Sequence, residues 1–275
     1  MSASTSFLCD AIESLREQKP LVHCITNYVT ANDCANALLA IGAAPVMADD
    51  ILEVAEITAQ AHALVINIGI LNERTIDSML LSSKTARERK TPIILDPVGA
   101  GATSLRTATA RRLAFECSPT IIRGNASEIQ ALVRGSADTR GVDAGNGNTP
   151  LATLIAEAKE LAGGTGAVVA ITGKTDIATD GTAVWAVYNG DALMRGITGS
   201  GCMLSAICGG FAAVRTRTPL EAAVAALAAM GISGALARRG HEEEGTGSMR
   251  WRMIDVLSRL DGELLHKEAQ IEQLT

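Results

Sequence analysis

ALVINIG (63–69), TPIILD (91–96), PTIIRG (119–124) and AVVAIT (167–172) are short runs of almost unbroken hydrophobicity, and APVMA (44–48) is a fifth. A strand with one wet face alternates apolar and polar residues, so runs like these belong in a sheet covered on both faces. Between and beside them lie stretches with helical spacing: 32–41, 51–61, 73–90, 104–117, 127–133 and 151–161. Strand–helix alternation at this interval predicts βα units, and hence an α/β sandwich with a mostly parallel central sheet and helices on both faces.

The pattern changes near Asp176. IATDGTAVWAVYNGDALM (177–194) reads as a hairpin turning at Asp180-Gly181. TGSG (198–201) then leads into an apolar helix over about 202–214, and Pro219 suits the first position of the next one. Ser248 or Asp255 is expected to cap part of the last helix. The segment 135–149, GSADTRGVDAGNGNT, reads as a loop insertion. Neither repeats nor a linker divide the chain, so residues 1–275 are expected to form one domain.

A formal net charge of −6 argues against a non-specific nucleic-acid or anionic-membrane binder. The six cysteines contain no C-x-x-C pair, which leaves zinc-ribbon and thioredoxin-like readings without support. The N-terminus lacks a basic start followed by an apolar run, so reduced thiols in the cytoplasm are expected. The longest apolar stretch, 222–237, falls short of the ~18 apolar residues of a membrane span and suits a buried core helix.

Three nucleotide signatures fail on inspection. GKT (173–175) resembles the end of a phosphate-wrapping loop, but Val168 stands where that loop needs glycine. GAGATS (99–104) and GSGCML (199–204) both lack the third glycine of the dinucleotide fingerprint. What remains is a set of polar residues at predicted carboxyl ends of strands, where α/β sheets bind ligands. Asp96 is expected to emerge at the sheet rim; Arg123 and Thr172 end their own strands, and Glu128 opens a helix. Two carboxylates and an arginine there can hold Mg²⁺ and phosphate. The same residues would equally arise from a turn cap, a helix-dipole partner and an ion pair. In TGSGC, Gly199 and Gly201 allow close approach of a ligand to the start of a helix, an anion-binding arrangement. Cys202 falls in its first turn, where the dipole lowers a thiol's pKa. Small-residue packing is the plainer reading of the same cysteine.

PLVHCITNYVT, ALLAIGAAPVMA, LVINIG, ILDPVGAGAT, IIRGNASEI, ITGKTDIATDG and ITGSGCMLSA follow one another in order from about residue 20 to 211. Together they resemble the hydroxyethylthiazole kinases, thiamine-salvage enzymes of the ribokinase-like superfamily. The resemblance implies a ribokinase-like three-layer sandwich and ATP-dependent phosphorylation of the primary hydroxyl of 4-methyl-5-(2-hydroxyethyl)thiazole. It implies magnesium, and a homotrimer with active sites at subunit boundaries. By their motifs Met47 and Gly199 correspond to substrate contacts, with Asn27 near the thiazole. Arg123 and Thr172 correspond to ATP-binding positions, and Asp96 and Glu128 to the acidic residues of Mg²⁺–phosphate. Cys202 stands where sugar kinases carry a catalytic aspartate. Two departures are Ser200, where threonine is frequent, and Cys24, where asparagine is. The neighbouring expectation is another ribokinase-like kinase, of the pyrimidine or vitamin B6 type, and Cys202 speaks against it. A non-catalytic sensor would have no use for the full phosphoryl-transfer set.

Overall fold

The computed structural model describes residues 6–135, 149–214 and 217–274. The expected insertion therefore lies outside the described residues, apart from its two ends. Among the described residues the strands are β1 (Leu21–Ile25), β2 (Ala44–Met47), β3 (Ala63–Asn67), β4 (Ile93–Asp96), β5 (Ile121–Asn125), β6 (Val168–Thr172), β7 (Asp176–Thr179), β8 (Val184–Val187) and β9 (Ile271–Gln273). They form one sheet in the order β2-β1-β3-β4-β5-β6-β7-β8-β9. Pairing is parallel from β2 through β6 and antiparallel from β6 to β9.

The helices are α1 (Ser6–Gln18), α2 (Ala31–Ile41), α3 (Val54–Gln60), α4 (Glu73–Arg89), α5 (Ser104–Glu116), α6 (Ala126–Arg134), α7 (Leu151–Thr165), α8 (Ser200–Ala212), α9 (Pro219–Arg238), α10 (Thr246–Arg259) and α11 (Gly262–Glu268). Successive strand residues point to opposite faces, and the core divides accordingly. Ala63 and Val65 pack with α1, α2 and α8 to α11, while Leu64 and Ile66 pack with α3 to α7. Burial on both faces is what the unbroken apolar runs required.

β1 and β9 escaped the apolar-run criterion, and α1 and α11 lie outside the stretches read as helical. β1 carries His23 in mid-strand, and β9 reads Ile-Glu-Gln at the sheet's margin. The hairpin turns where expected, with Gly181 at φ 96°. Neither Ser248 nor Asp255 caps a helix, however. α10 starts after Gly245, and Asp261 caps α11 by accepting from Leu264 N–H at 2.8 Å. The length argument against a membrane span also needs correction, because α9 reaches 20 residues and is apolar enough to cross a bilayer. Its most apolar window is 83% buried inside the fold, so its hydrophobicity is consumed by the core.

Candidate active site

Parallel register delivers the polar residues to one end of the sheet. Asn67 of β3 lies opposite Asp96 of β4, and Asn125 of β5 opposite Thr172 of β6. α8 packs against β3, β4 and β5 and closes the same region.

Asp96 does not emerge at the rim; it is fully buried. Its Oδ2 accepts from Asn67 Nδ2 and from Ser205 Oγ of α8, both at 2.8 Å, and lies 3.8 Å from Arg123 Nη1. Oδ1 has no partner among the described residues. Burial pushes this carboxyl up to about 6. Arg123 opposes that rise, Glu128 adds to it, and the bonds from Ser205 and Asn67 oppose it less strongly.

Arg123 is itself buried and donates from Nη2 to Thr172 Oγ1 at 2.6 Å. Its Nε has no described partner. The two residues matched to ATP positions thus bond one another across β5 and β6. Glu128 behaves first as the prosaic reading had it. Its Oε2 accepts from Asn125 N–H at 2.8 Å while Asn125 Oδ1 accepts from Glu128 N–H, a capping box that starts α6. Oε1 accepts from Gly99 N–H at 2.9 Å, tying the loop after β4 to α6.

Gly199 precedes α8 in the left-handed region, at φ 87°. A side chain there would be strained, and its Cβ would stand 2.6 Å from Thr30 Cγ2. The amides of Gly201 and Cys202 fall in the first turn, where no preceding helical carbonyl is available. Ser200 keeps a hydroxyl in use by donating to Met194 O at 3.3 Å. Cys202 Sγ faces Asn67 Nδ2 at 3.2 Å and Asn27 Nδ2 at 3.5 Å. The expectation of a depressed thiol pKa is overturned: burial, and then the Asp96 charge, raise it. Hydrogen bonds from Thr30, Asn67 and Asn27 pull the other way without prevailing. The helix start supplies only partial charge, too little to offset desolvation beside a carboxylate.

Asn27 joins the cluster, donating to Asn67 Oδ1 at 3.1 Å. Met47 does not; it ends the edge strand β2, opposite Cys24, and is 37% exposed. Beside Gly199 opens a cleft of about 260 Å³ lined by Val29, Asp33, Gly196, Thr198 and Arg250 among others. One of its walls is the Arg250–Asp33 ion pair at 2.5 Å. The sequence reading missed Asn67, Ser205 and Arg106. Arg106 donates to the carbonyls of Ile68, Val98 and Gly69 at 2.8–2.9 Å, clamping the loops after β3 and β4 together. Asn67 carried a legible signal, since it ends an apolar run as Asp96 does, but an amide has no charge to draw attention.

This architecture is shared with the pyridoxal kinase from Staphylococcus aureus in complex with pyridoxal, at TM-score 0.58 over 78% of this chain and 87% of that one. Identity is 14%, so that likeness concerns fold alone. The fold class is therefore the ribokinase-like α/β sandwich. Residues 12–263 match the Hydroxyethylthiazole kinase family, and the chain belongs to that family. It is 46% identical over 274 residues to the hydroxyethylthiazole kinase of Ruminiclostridium cellulolyticum, covering 100% of both chains. It is 48% identical over 270 residues to that of Clostridium acetobutylicum, covering 96% and 99%. A solved hydroxyethylthiazole kinase structure from Pyrococcus horikoshii superposes with TM-score 0.88 at 36% identity, covering 98% and 99%.

Proposed function

We propose that this chain transfers the γ-phosphoryl group of ATP to the primary hydroxyl of 4-methyl-5-(2-hydroxyethyl)thiazole, the thiazole step of thiamine salvage. One observation carries the reading, in a chain of this family. Asp96, Arg123, Cys202 and the Gly199 turn meet at the carboxyl ends of the parallel strands. Phosphoryl transfer needs positioning and charge stabilisation more than covalent chemistry, and these groups supply both. Arg123 and Thr172 hold the phosphate side. The free amides at the start of α8 face charge developing on the moving phosphoryl. The acceptor hydroxyl sits by Cys202, with Gly199 and Asn27 against the thiazole and Met47 at its outer side.

The residues fit a magnesium ion. Asp96 Oδ1 is buried with no described partner, and each Glu128 oxygen keeps acceptor capacity beyond its one backbone N–H. Asp96 and Glu128 would hold the ion, which neutralises phosphate charge when bound.

The continuous sheet favours residues 1–275 acting as one kinase domain. Self-association, which the family resemblance makes a homotrimer, is supported by exposed apolar side chains: Tyr28, Val29, Leu39 and Leu52 are 59–88% exposed. A cytoplasmic location is supported by six unpaired cysteines.

The test is a coupled ADP-release assay with hydroxyethylthiazole, pyridoxal, a hydroxymethylpyrimidine and ribose. Turnover should be fastest with the thiazole. Faster turnover with another alcohol would replace the substrate and leave the kinase chemistry standing.

A further inference from the structure

Asn67 is the most connected side chain of the cluster, and nothing so far gives it a role. Its amide orientation follows from chemistry. Gly69 N–H can only donate, and it lies 2.9 Å from Oδ1, so that atom is the carbonyl oxygen. Nδ2 must then face the other way, where it lies 2.8 Å from Asp96 Oδ2 and 3.2 Å from Cys202 Sγ. One –NH₂ group has two hydrogens, and here each has its own acceptor. Asn27 completes the set by donating to Asn67 Oδ1. All of Asn67's strong bonds are thereby used, and the residue is 1% exposed.

Three elements meet through this one amide: Asn67 itself ends β3, Asp96 ends β4, and Cys202 stands in the first turn of α8. Ser205 also holds Asp96 Oδ2 and so ties α8 to β4, but it makes no bond to the Cys202 thiol itself. With both donors on Oδ2, the carboxylate is left presenting Oδ1.

We propose that Asn67 is a positioning residue for phosphoryl transfer, locking the Asp96 carboxylate and the Cys202 thiol into one arrangement through the two N–H groups of a single amide. The assignment rests on the kinase reading above. It requires that losing the donors slow the chemical step more than it weakens ATP binding, because Asn67 bonds neither Arg123 nor Thr172 and reaches Arg123 only through the 3.8 Å Arg123–Asp96 contact.

Two variants test it, each compared with the parent and with Ser205→Ala for kcat, both KM values and melting midpoint. Asn67→Asp is nearly isosteric, and it keeps an acceptor for Gly69 and Asn27 while turning the donor into an acceptor. It also places two carboxylates together, so Asn67→Ala serves if that form does not fold. Expected is a fall in kcat of about 10- to 100-fold, the scale of a displaced reacting group, with the ATP KM within about twofold. Ser205→Ala should lose less, because the strand-to-thiol link survives in it. A folded Asn67→Ala form with parental kcat, or a loss confined to melting midpoint, would overturn the assignment alone. A parent that releases no ADP with any acceptor would overturn the kinase reading and this assignment together.

Discussion

Arg123 and Gly201 compete for one space: a Cβ on Gly201 would stand 2.6 Å from Arg123 Nη1. The two glycines of TGSG therefore serve different ends. Gly199 is needed for its positive φ, whereas Gly201 makes room for a guanidinium. Gly201→Ala should push Arg123 off Thr172 and Asp96 and raise the ATP KM more than the thiazole KM. Because the clash falls on the far end of a side chain, the fold should survive at a cost of about 1–3 kcal/mol. Steady-state kinetics with each substrate varied checks it, and unchanged ATP KM would free Arg123 from the nucleotide.

Glu128 is asked to do two things, and one substitution weighs them. In Glu128→Gln an amide –NH₂ must face either Gly99 N–H or Asn125 N–H, donor against donor. Leaving such a buried group unsatisfied costs about 1–3 kcal/mol. At this chain length that is a drop of several degrees in the melting midpoint, measured in metal-free buffer. A midpoint equal to the parent's would show that the capping bonds contribute nothing to stability.

His23 gives the stability a pH dependence of definite sign. It is buried, with Nε2 2.9 Å from Ala48 O and Nδ1 2.9 Å from Thr58 Oγ1. A carbonyl only accepts, so Nε2 carries a proton; Thr58 has one hydroxyl hydrogen, for which Nδ1 competes with Val54 O at 2.7 Å. Burial lowers the pKa of this imidazole below its ordinary value. The unfolded chain then binds the extra proton more readily, so this contribution is complete above the ordinary histidine range and is lost as pH falls through it towards the folded pKa. Urea unfolding of the parent and of His23→Gln, from pH 5 to 8, should show a steeper acid loss in the parent. Parallel curves would refute it.

The parallel half of the fold was legible because its physics is written locally. ALVINIG, TPIILD, PTIIRG and AVVAIT are apolar on both faces and stop at a polar residue where the sheet ends. β1 was hidden by His23, whose two hydrogen bonds become visible only once α3 and the end of β2 close over it. In the site, the charged residues were legible through the family motifs and their strand-end positions. Their mutual arrangement was not. Asp96 looked like a rim residue because the sequence cannot show α8 arriving from more than a hundred residues away to bury it with Ser205. The same burial reversed the direction expected for Cys202 and left Asn67, an uncharged residue, holding both.

Cys202 raises the question of who takes the hydroxyl proton. Its thiol lies above its ordinary pKa, so little thiolate is present at neutral pH. General-base help is typically worth ~10²–10⁴-fold. Cys202→Ala should lose less than about 10²-fold, because the α8 amides and the Asn67 and Asn27 donors stay in place. Cys202→Asp should fold, since those donors and a helix start both accept an anion. Its new carboxyl stands beside Asp96, and like charge in a buried site raises a carboxyl's pKa. Asp96, at about 6, titrates in every form, so the Asp form should show an additional rise across mildly acidic pH that the Ala form, with no titrating group at position 202, lacks. Rates against pH for parent, Ala and Asp forms decide it. A folded but inactive Asp form beside a fully active Ala form would show that position 202 takes no proton and that a charge there obstructs the acceptor.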